Sequence, residues 1–424
     1  MLAFLIGALF VLMFIGTPVS LAIGIPSLLY IIMEPSIPSF TAIQRMVSGP
    51  NTYSLLSIPF FIFAGNLMNT GGVTTRIFNF CESIVGSVKG GLGHVNVVAS
   101  VIFAGMAGAA IADAGGLGAV EIKAMRDAGY DDGFTLGITA ASSTIGPIIP
   151  PSMTMVVYGV VAGASIGRLF AGGVIPGLLM GLTLMIMIYI MADRYNCPPP
   201  VKTSLSQAIS TFKSAFFALL TPAIILGGIF FGVFTPTEAA AMASLYSIIL
   251  GIVYRELTLE DFYQAVRESM ETTVVVMFIV ASATLFAWIL ARERVPQMVA
   301  SFILGKTTNY YVILFAINIL LLIVGCFMET VASINILVPV FLPIIKMLNI
   351  DPVHFGVMMV LNLTIGVLTP PFGTVLYVLS GVAKVSVETV ARNTAVFLIP
   401  LLITLVLVIL FPQLTLFLPR VLYG

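Results

Sequence analysis

The stretch "TIGPIIPPSMT" at 144–154 decides the fold, because "TIGVLTPPFGT" at 364–374 repeats it at an offset of 220 residues. Six of the eleven positions are identical without a gap, where composition alone would give roughly one. The same register pairs Gly105 with Gly325 and Asp131 with Asp351, so the chain is an internal duplication. Both segments interrupt apolar runs of membrane-spanning character. A proline at position i cannot donate to the carbonyl of i−4, and its ring pushes that carbonyl aside. Pro147, Pro150 and Pro151 are therefore expected to free the carbonyls of Ser143, Gly146 and Pro147, and Pro370 and Pro371 those of Gly366 and Val367. An unsatisfied carbonyl in apolar surroundings costs roughly 2–7 kcal/mol, so something polar must bind at each break.

Composition agrees with a membrane setting. Of 424 residues 59% are hydrophobic and 8% charged, which no water-soluble core of this size needs. Eighteen basic residues cancel eighteen acidic ones, so charge points to no nucleic-acid partner. Cys81, Cys197 and Cys326 are far apart, and His94 and His354 are the only histidines, which argues against a Cys/His metal centre. The opening "MLAFLIGALFVLMFIG" has no basic residue before Arg45, so it reads as a retained first span rather than a cleaved leader.

The expected organisation is an all-α polytopic membrane protein of two inverted repeats, with two re-entrant hairpins and two broken helices. The first repeat, 1–192, holds scaffold helices over 1–70, an arm at 72–92, a hairpin at 94–126, a broken helix at 133–163 and a helix at 168–192. A linker follows at 193–213. The second repeat, 214–424, holds scaffold helices over 214–254, a helix at 272–291, an arm at 292–306, a hairpin at 309–346, a broken helix at 352–382 and a helix at 389–418. The hairpin segments read as re-entrant because 32 helical residues would reach ~48 Å, beyond a ~30 Å hydrocarbon core. Their middles, "GMAGAAIADAGGLG" at 105–118 and "METVASINIL" at 328–337, are rich in small or polar residues. Such tips survive only inside protein or beside a wet cavity. The arms mix basic and apolar residues as interfacial helices do. Thr235, Pro236 and Glu238 spell a capping box where one helix ends and the next begins, and Thr17 with Pro18 gives the weaker counterpart.

Five crossings and one hairpin per half turn the second copy upside down. Eleven basic residues (Arg76, Lys89, Lys123, Arg126, Arg194, Lys202, Lys213, Arg255, Arg267, Lys384, Arg392) then share one side and seven the other. The majority side is expected to be cytoplasmic, which leaves both termini periplasmic.

Freed carbonyls with nearby hydroxyls make an all-oxygen cage suited to a hard monovalent cation. Ser142, Ser143, Thr144 and Ser152 surround the first break, and Asn362, Thr364, Thr369 and Thr374 the second. Without a carboxylate at either break, sodium fits better than calcium or magnesium. Each break also creates a helix N-terminus, which attracts an organic anion. Asp113, Ser142, Thr144, Ser333, Asn335, Asn362 and Thr364 are the candidate substrate ligands, while Glu329 reads equally as a brace for its hairpin.

These residues resemble the large membrane subunit of tripartite ATP-independent periplasmic (TRAP) transporters. The resemblance spans essentially the whole chain and rests on "GAAIADAGGLGAVEIKAMRDAGYD" at 108–131, "SSTIGPIIPPS" at 142–152, "GVFTPTEAAA" at 232–241, "YRELTLED" at 254–261 and "NLTIGVLTPPFGT" at 362–374. It implies an elevator-type secondary transporter in a bacterial inner membrane, driven by sodium ions. It also implies a small four-helix membrane subunit, expected as a separate polypeptide, and a periplasmic substrate-binding protein that delivers an organic acid. Carried over residue by residue, it places a first sodium site at Gly105, Ala107, Gly146, Ile149 and Pro150, with Ser143 from the cage, and a second at Gly325, Gly366, Thr369 and Phe372. Ala107 stands where the family pattern leads one to expect serine. No catalytic role is expected: "GASIG" at 163–167 matches a nucleophile-elbow pattern but lacks its strand and histidine context. A sodium-coupled dicarboxylate carrier that works alone is the nearest alternative, and a passive channel the more distant one.

Overall fold

The computed structural model describes the chain except Gly71, Val201, Lys202 and Thr308, and the side chains of Ala107 and Leu304 are also outside the described residues. Lys202, counted above among the basic residues, is thus not placed. The described residues are all-helical and contain six helices long and apolar enough to span a bilayer, or seven with one bent pair. Seven apolar helices of 10–17 residues accompany them. Half-length helices are what interrupted spans and re-entrant arms require.

Both hairpins form. In the first, Gly91–Ala107 descends, and Ala110–Gly115 and Leu117–Asp127 return. In the second, Tyr310–Gly325 descends and Thr330–Met347 returns. Both broken helices form as well: Asp132–Ser143 with Met153–Ala162, and Pro352–Gly366 with Thr374–Ala383. The repeat shows in their starts. Asp131 Oδ1 accepts the Phe134 N–H at 3.0 Å and Asp351 Oδ1 the Val353 N–H at 2.8 Å, side-chain caps at the same register.

Three boundaries differ from the sequence reading. The helix expected from 214 starts at Leu205, inside the supposed linker, because Ser204 caps it through the Gln207 N–H. The helix expected at 272–291 is a 34-residue rod, Leu259–Arg292. Its first turns carry Glu260, Asp261, Arg267, Glu268 and Glu271, so hydropathy hides them, yet a Thr258/Asp261 capping box starts the rod there. The helix expected at 389–418 divides into Val387–Thr394, Leu398–Leu410 and Gln413–Tyr423, with Pro412 at the last junction. The Thr235/Glu238 box is present as expected, with Glu238 Oε2 accepting the Thr235 N–H at 2.7 Å.

The two repeats interlock. Each entering hairpin arm packs on the first half of its own broken helix: Gly91–Ala107 on Asp132–Ser143, and Tyr310–Gly325 on Pro352–Gly366. The second halves cross over, Met153–Ala162 onto Thr330–Met347 and Thr374–Ala383 onto Ala110–Gly115. This exchange brings both tips and both breaks together around one cavity. Ser57–Thr70, Pro236–Tyr254 and the Leu259–Arg292 rod, which also packs on Val19–Met33, form the adjoining scaffold.

Candidate transport site

Only some of the carbonyls displaced by proline stay without a donor. Ser143 O accepts the Gly146 N–H at 3.3 Å, Gly366 O accepts the Thr369 N–H at 2.9 Å, and Pro147 O is taken by the Ser152 hydroxyl. Gly146 and Val367 are the two of the five expected carbonyls that accept no hydrogen bond among the described residues. The carbonyls of Gly105, Ile149, Pro150, Gly325, Thr369 and Phe372 likewise accept none there. Main-chain oxygens without a partner thus occur on the hairpin and on the break of each repeat, and no group of three or more His, Cys, Asp or Glu that could hold a metal occurs among the described residues. That donor set fits a monovalent cation rather than a transition metal or calcium.

Each tip is stitched to its break by one main-chain bond: Met153 N–H to Gly108 O at 3.3 Å, and Phe372 N–H to Cys326 O at 3.1 Å. At the second junction the backbones touch, since a Cβ on Gly366 would lie 2.5 Å from Gly325 Cα. Gly105 faces elsewhere. A Cβ there would lie 2.6 Å from Pro222 Cβ of the Leu205–Phe230 helix, so the register match Gly105/Gly325 is not a match of surroundings.

A cavity of ≈ 370 Å³ lies between the first tip (Ala109 to Ala112), the second tip (Glu329, Thr330), both breaks (Pro147, Met153, Thr154, Thr364, Val367, Thr374) and the scaffold (Ile62, Gly65, Asn66, Thr272, Val275, Val276, Ile279). Its walls are mostly apolar, with hydroxyls and amides interspersed and no Lys or Arg among the lining residues. Glu329 Oε2 accepts the Val331 and Ala332 N–H groups at 2.9 and 3.2 Å and so braces its own hairpin. At the same register the first tip has Ala109, which offers no side-chain acceptor, and the N–H groups of Ala110, Ile111 and Ala112 have no partner among the described residues.

Of the candidate substrate ligands, Thr364 lines this cavity, donating its hydroxyl hydrogen back to the Val360 or Leu361 carbonyl. The others do not. Asp113, 2% exposed, points into the first hairpin near Ser100 and Glu121 instead of onto the wall. Ser142 donates to Asn96 Oδ1 at 2.6 Å, and Asn362 donates to Asn318 Oδ1 at 2.8 Å. These are equivalent bolts between broken helix and entering arm. Thr144 is turned back to the Ala141 carbonyl at 2.6 Å, and Ser333 is fully buried. Asn335 lines a separate cavity of ≈ 220 Å³ with Ser48, Thr52 and Thr284. Of the first sodium set, Ser143, Gly146, Ile149 and Pro150 are buried at the break, and Ala107 closes its helix with its side chain outside the described residues.

Sequence reasoning missed Asn66, Thr154, Thr272 and Thr330. Thr154 was available from the repeat, because its partner at the 220 register is Thr374, whose hydroxyl has no partner.

Residues 6–414 match the sequence profile of the tripartite ATP-independent periplasmic transporter DctM component. The chain belongs to the DctM family. Among its relatives, the sialic acid TRAP transporter large permease protein SiaM of Vibrio cholerae is 49% identical over 97% of both chains. The C4-dicarboxylate TRAP transporter large permease protein DctM of Pseudomonas aeruginosa is 42% identical over 87% of this chain and 86% of its own. The fold resembles that of the Alcanivorax borkumensis YdaH transporter, with a TM-score of 0.67 at 15% identity, covering 88% of this chain and 87% of that one. As a DctM-family large permease, the chain is a multi-pass transport subunit for organic acids and not an enzyme. The family name itself places it in a three-part transport system, and its permease relatives and apolar helices mark a multi-pass inner-membrane protein.

Proposed function

We propose that this permease is a sodium-driven symporter subunit that imports an organic acid handed over by a periplasmic binding protein, alongside a small four-helix membrane subunit. One observation carries the reading: a cavity with no basic side chain on its wall lies beside two sets of unpaired main-chain oxygens. A carboxylate entering it needs positive charge that no Lys or Arg supplies. Sodium ions at the two junctions supply that charge, and the unpaired N–H groups of the first tip receive the carboxylate as Glu329 is received at the second. Binding of ion and anion is thereby mutually dependent, which is the thermodynamic content of symport.

The sodium ligands in this reading are the carbonyls of Gly105, Gly146, Ile149 and Pro150 with Ser143 at the first junction, and Gly325, Gly366, Thr369 and Phe372 at the second. The interlocked hairpins and breaks move as one body against the scaffold, in the manner of an elevator. The exchange of packing between the two hairpins and the two broken helices supports their moving together. Sialic acid is the first solute to test, since SiaM is 49% identical, and a C4-dicarboxylate the second.

Proteoliposomes decide it. Uptake of labelled sialic acid or succinate is expected only with an inward sodium gradient, the small subunit and the cognate binding protein together. Uptake without the binding protein selects the lone-carrier alternative, and uptake indifferent to sodium overturns the ion assignment.

A further inference from the structure

A further cavity, of ≈ 590 Å³, lies at the opposite end of Pro352–Gly366 from the second break, where both outer ends of the second hairpin meet the start of that helix and the C-terminal helix Gln413–Tyr423. Tyr310, Lys346, Asn349, Asp351, His354 and Arg420 supply its polar lining. Lys346 and Arg420 take part in none of the ion pairs among the described residues. His354 is 1% exposed, and its Nε2 has no hydrogen-bond partner. Asp351 is the one acid, and its Oδ1 is engaged by the Val353 N–H.

The His354 ring is held from its other side. The Thr415 hydroxyl donates to Pro412 O at 2.9 Å and lies 2.9 Å from Nδ1, so Nδ1 carries the ring proton and Nε2 is a buried acceptor. Two cations, an imidazole, an amide and a phenol converge there with one acid.

We propose that this cavity binds the phosphate headgroup of an anionic membrane phospholipid. A lipid is favoured over a soluble anion because the same elements carry exposed apolar side chains beside the pocket: Tyr311 at 49%, Met347 at 64%, Phe417 at 60% and Val421 at 64%. Acyl chains would cover these while the phosphate meets Lys346 and Arg420. Bound there, the lipid ties the second hairpin to the C-terminal helix, which is seated on Ile166–Met191 with the Thr415 carbonyl 2.9 Å from where a Cβ on Gly172 would be.

The test is native mass spectrometry of the full-length chain in detergent, titrated with dioleoylphosphatidylglycerol or dioleoylphosphatidylcholine. Phosphatidylglycerol is expected to be retained preferentially. Lys346→Gln with Arg420→Gln should weaken its retention about 30-fold, taking about fivefold per cation near a membrane surface. Thr415→Val, which keeps both cations but removes the hydroxyl that sets the ring, should weaken it less, and Lys306→Gln, elsewhere on the surface, should leave it unchanged. Melting curves of each variant separate a lost site from a lost fold. Equal retention of the two lipids, or a folded double variant that retains phosphatidylglycerol like the parent, overturns the proposal. Displacement of the lipid by millimolar sn-glycerol phosphate as effectively as by phosphatidylglycerol itself would assign the site to a soluble anion and overturn the lipid assignment.

Discussion

The two breaks share a sequence and differ in setting. Residues 144–152 are buried throughout, sealed by Ile166–Met191, where a Cβ on Gly173 would lie 2.2 Å from Ile148 O and one on Gly177 2.2 Å from Ile149 Cγ1. Pro370, Pro371 and Phe372 are exposed at the second break, whose hairpin is instead joined to it by the Gly325/Gly366 backbone contact. The tips differ as well: Glu329 closes the second from within, and Ala109 leaves the first open. A duplication thus supplied two equivalent gaps, and later packing made one a fixed wall and the other an accessible junction. The open tip and the open junction sit in different repeats. A solute bound between them touches both.

The largest effect is expected from erasing the difference between the tips. Ala109→Glu would place a carboxylate where Glu329 stands in the other copy, within reach of the Ile111 and Ala112 N–H groups. A cap of this kind stabilises by about 1 kcal/mol, so melting should hold or rise. Anion uptake should fall by more than about 100-fold, since a second buried like charge beside a carboxylate is strongly unfavourable. Unchanged uptake with full folding would remove the first tip from the anion site.

Next comes the seam. Gly366→Ala drives a Cβ into the Gly325 backbone, and overpacking of this kind costs about 1–3 kcal/mol. If that cost falls on the ion-binding geometry, half-maximal sodium should rise about tenfold or more. Gly173→Ala meets the Ile148 carbonyl oxygen, next to the first-junction ligand Ile149, so it should lower the melting temperature and also raise half-maximal sodium. Sodium-activation curves and melting scans on both variants check this. Unchanged sodium activation in folded Gly173→Ala would remove the first junction from the ion sites.

A smaller difference is expected between two threonines at the same register. Thr154 is 2.9 Å from the Ser152 hydroxyl and 3.4 Å from Pro147 O, whereas the Thr374 hydroxyl has no partner. Thr374→Val should raise KM for the solute about five- to tenfold, the worth of one hydrogen bond, and Thr154→Val less than about twofold. Equal effects would mean that the internal bonds of Thr154 do not withhold it from the solute.

Much of this was legible in the sequence because it is local. Proline at i and the carbonyl at i−4 belong to one turn, Asp131 and Asp351 cap the helices they precede, and the 220-residue offset needs only counting. What lay hidden depends on which surfaces meet. Nothing near Gly105 announces that it faces Pro222 while Gly325 faces Gly366. Ser152 reaching back to Pro147 and Thr369 to Gly366 required the actual path of each break. Asp113 stood in a polar tip sequence, yet its return arm turns the carboxylate inward. Asn66 and Thr272 come from scaffold helices more than 200 residues apart, joined only by tertiary packing.

The arms offer the last and smallest break in the comparison. The first, Val73–Val85, is fastened at Arg76, whose Nη1 and Nη2 donate to Glu256 Oε2 and Oε1 at 3.0 and 2.6 Å and whose guanidinium lies 4.0 Å from the Tyr254 ring centroid. The second arm, Val295–Leu304, follows a tie made by Tyr30 donating to Glu293 at 2.5 Å and Arg292 donating to Ser36 at 2.6 Å. Arg76 holds the Glu256 carboxyl below its ordinary value. A carboxyl depressed in the folded state stabilises it above the unfolded pKa and loses that contribution as pH falls through the folded one. Both partners are partly exposed, so the pair contributes less than about 1 kcal/mol. Glu256→Gln should therefore lower the melting temperature slightly at pH 7, by an amount that shrinks as the pH is taken below the carboxylate range. It should leave half-maximal sodium unchanged, because the tie lies outside both junctions. A shift in sodium activation would mean that the arm transmits strain to the hairpin it precedes, and the second arm, fastened through a tyrosine and a serine, would then be the one to test for the same coupling.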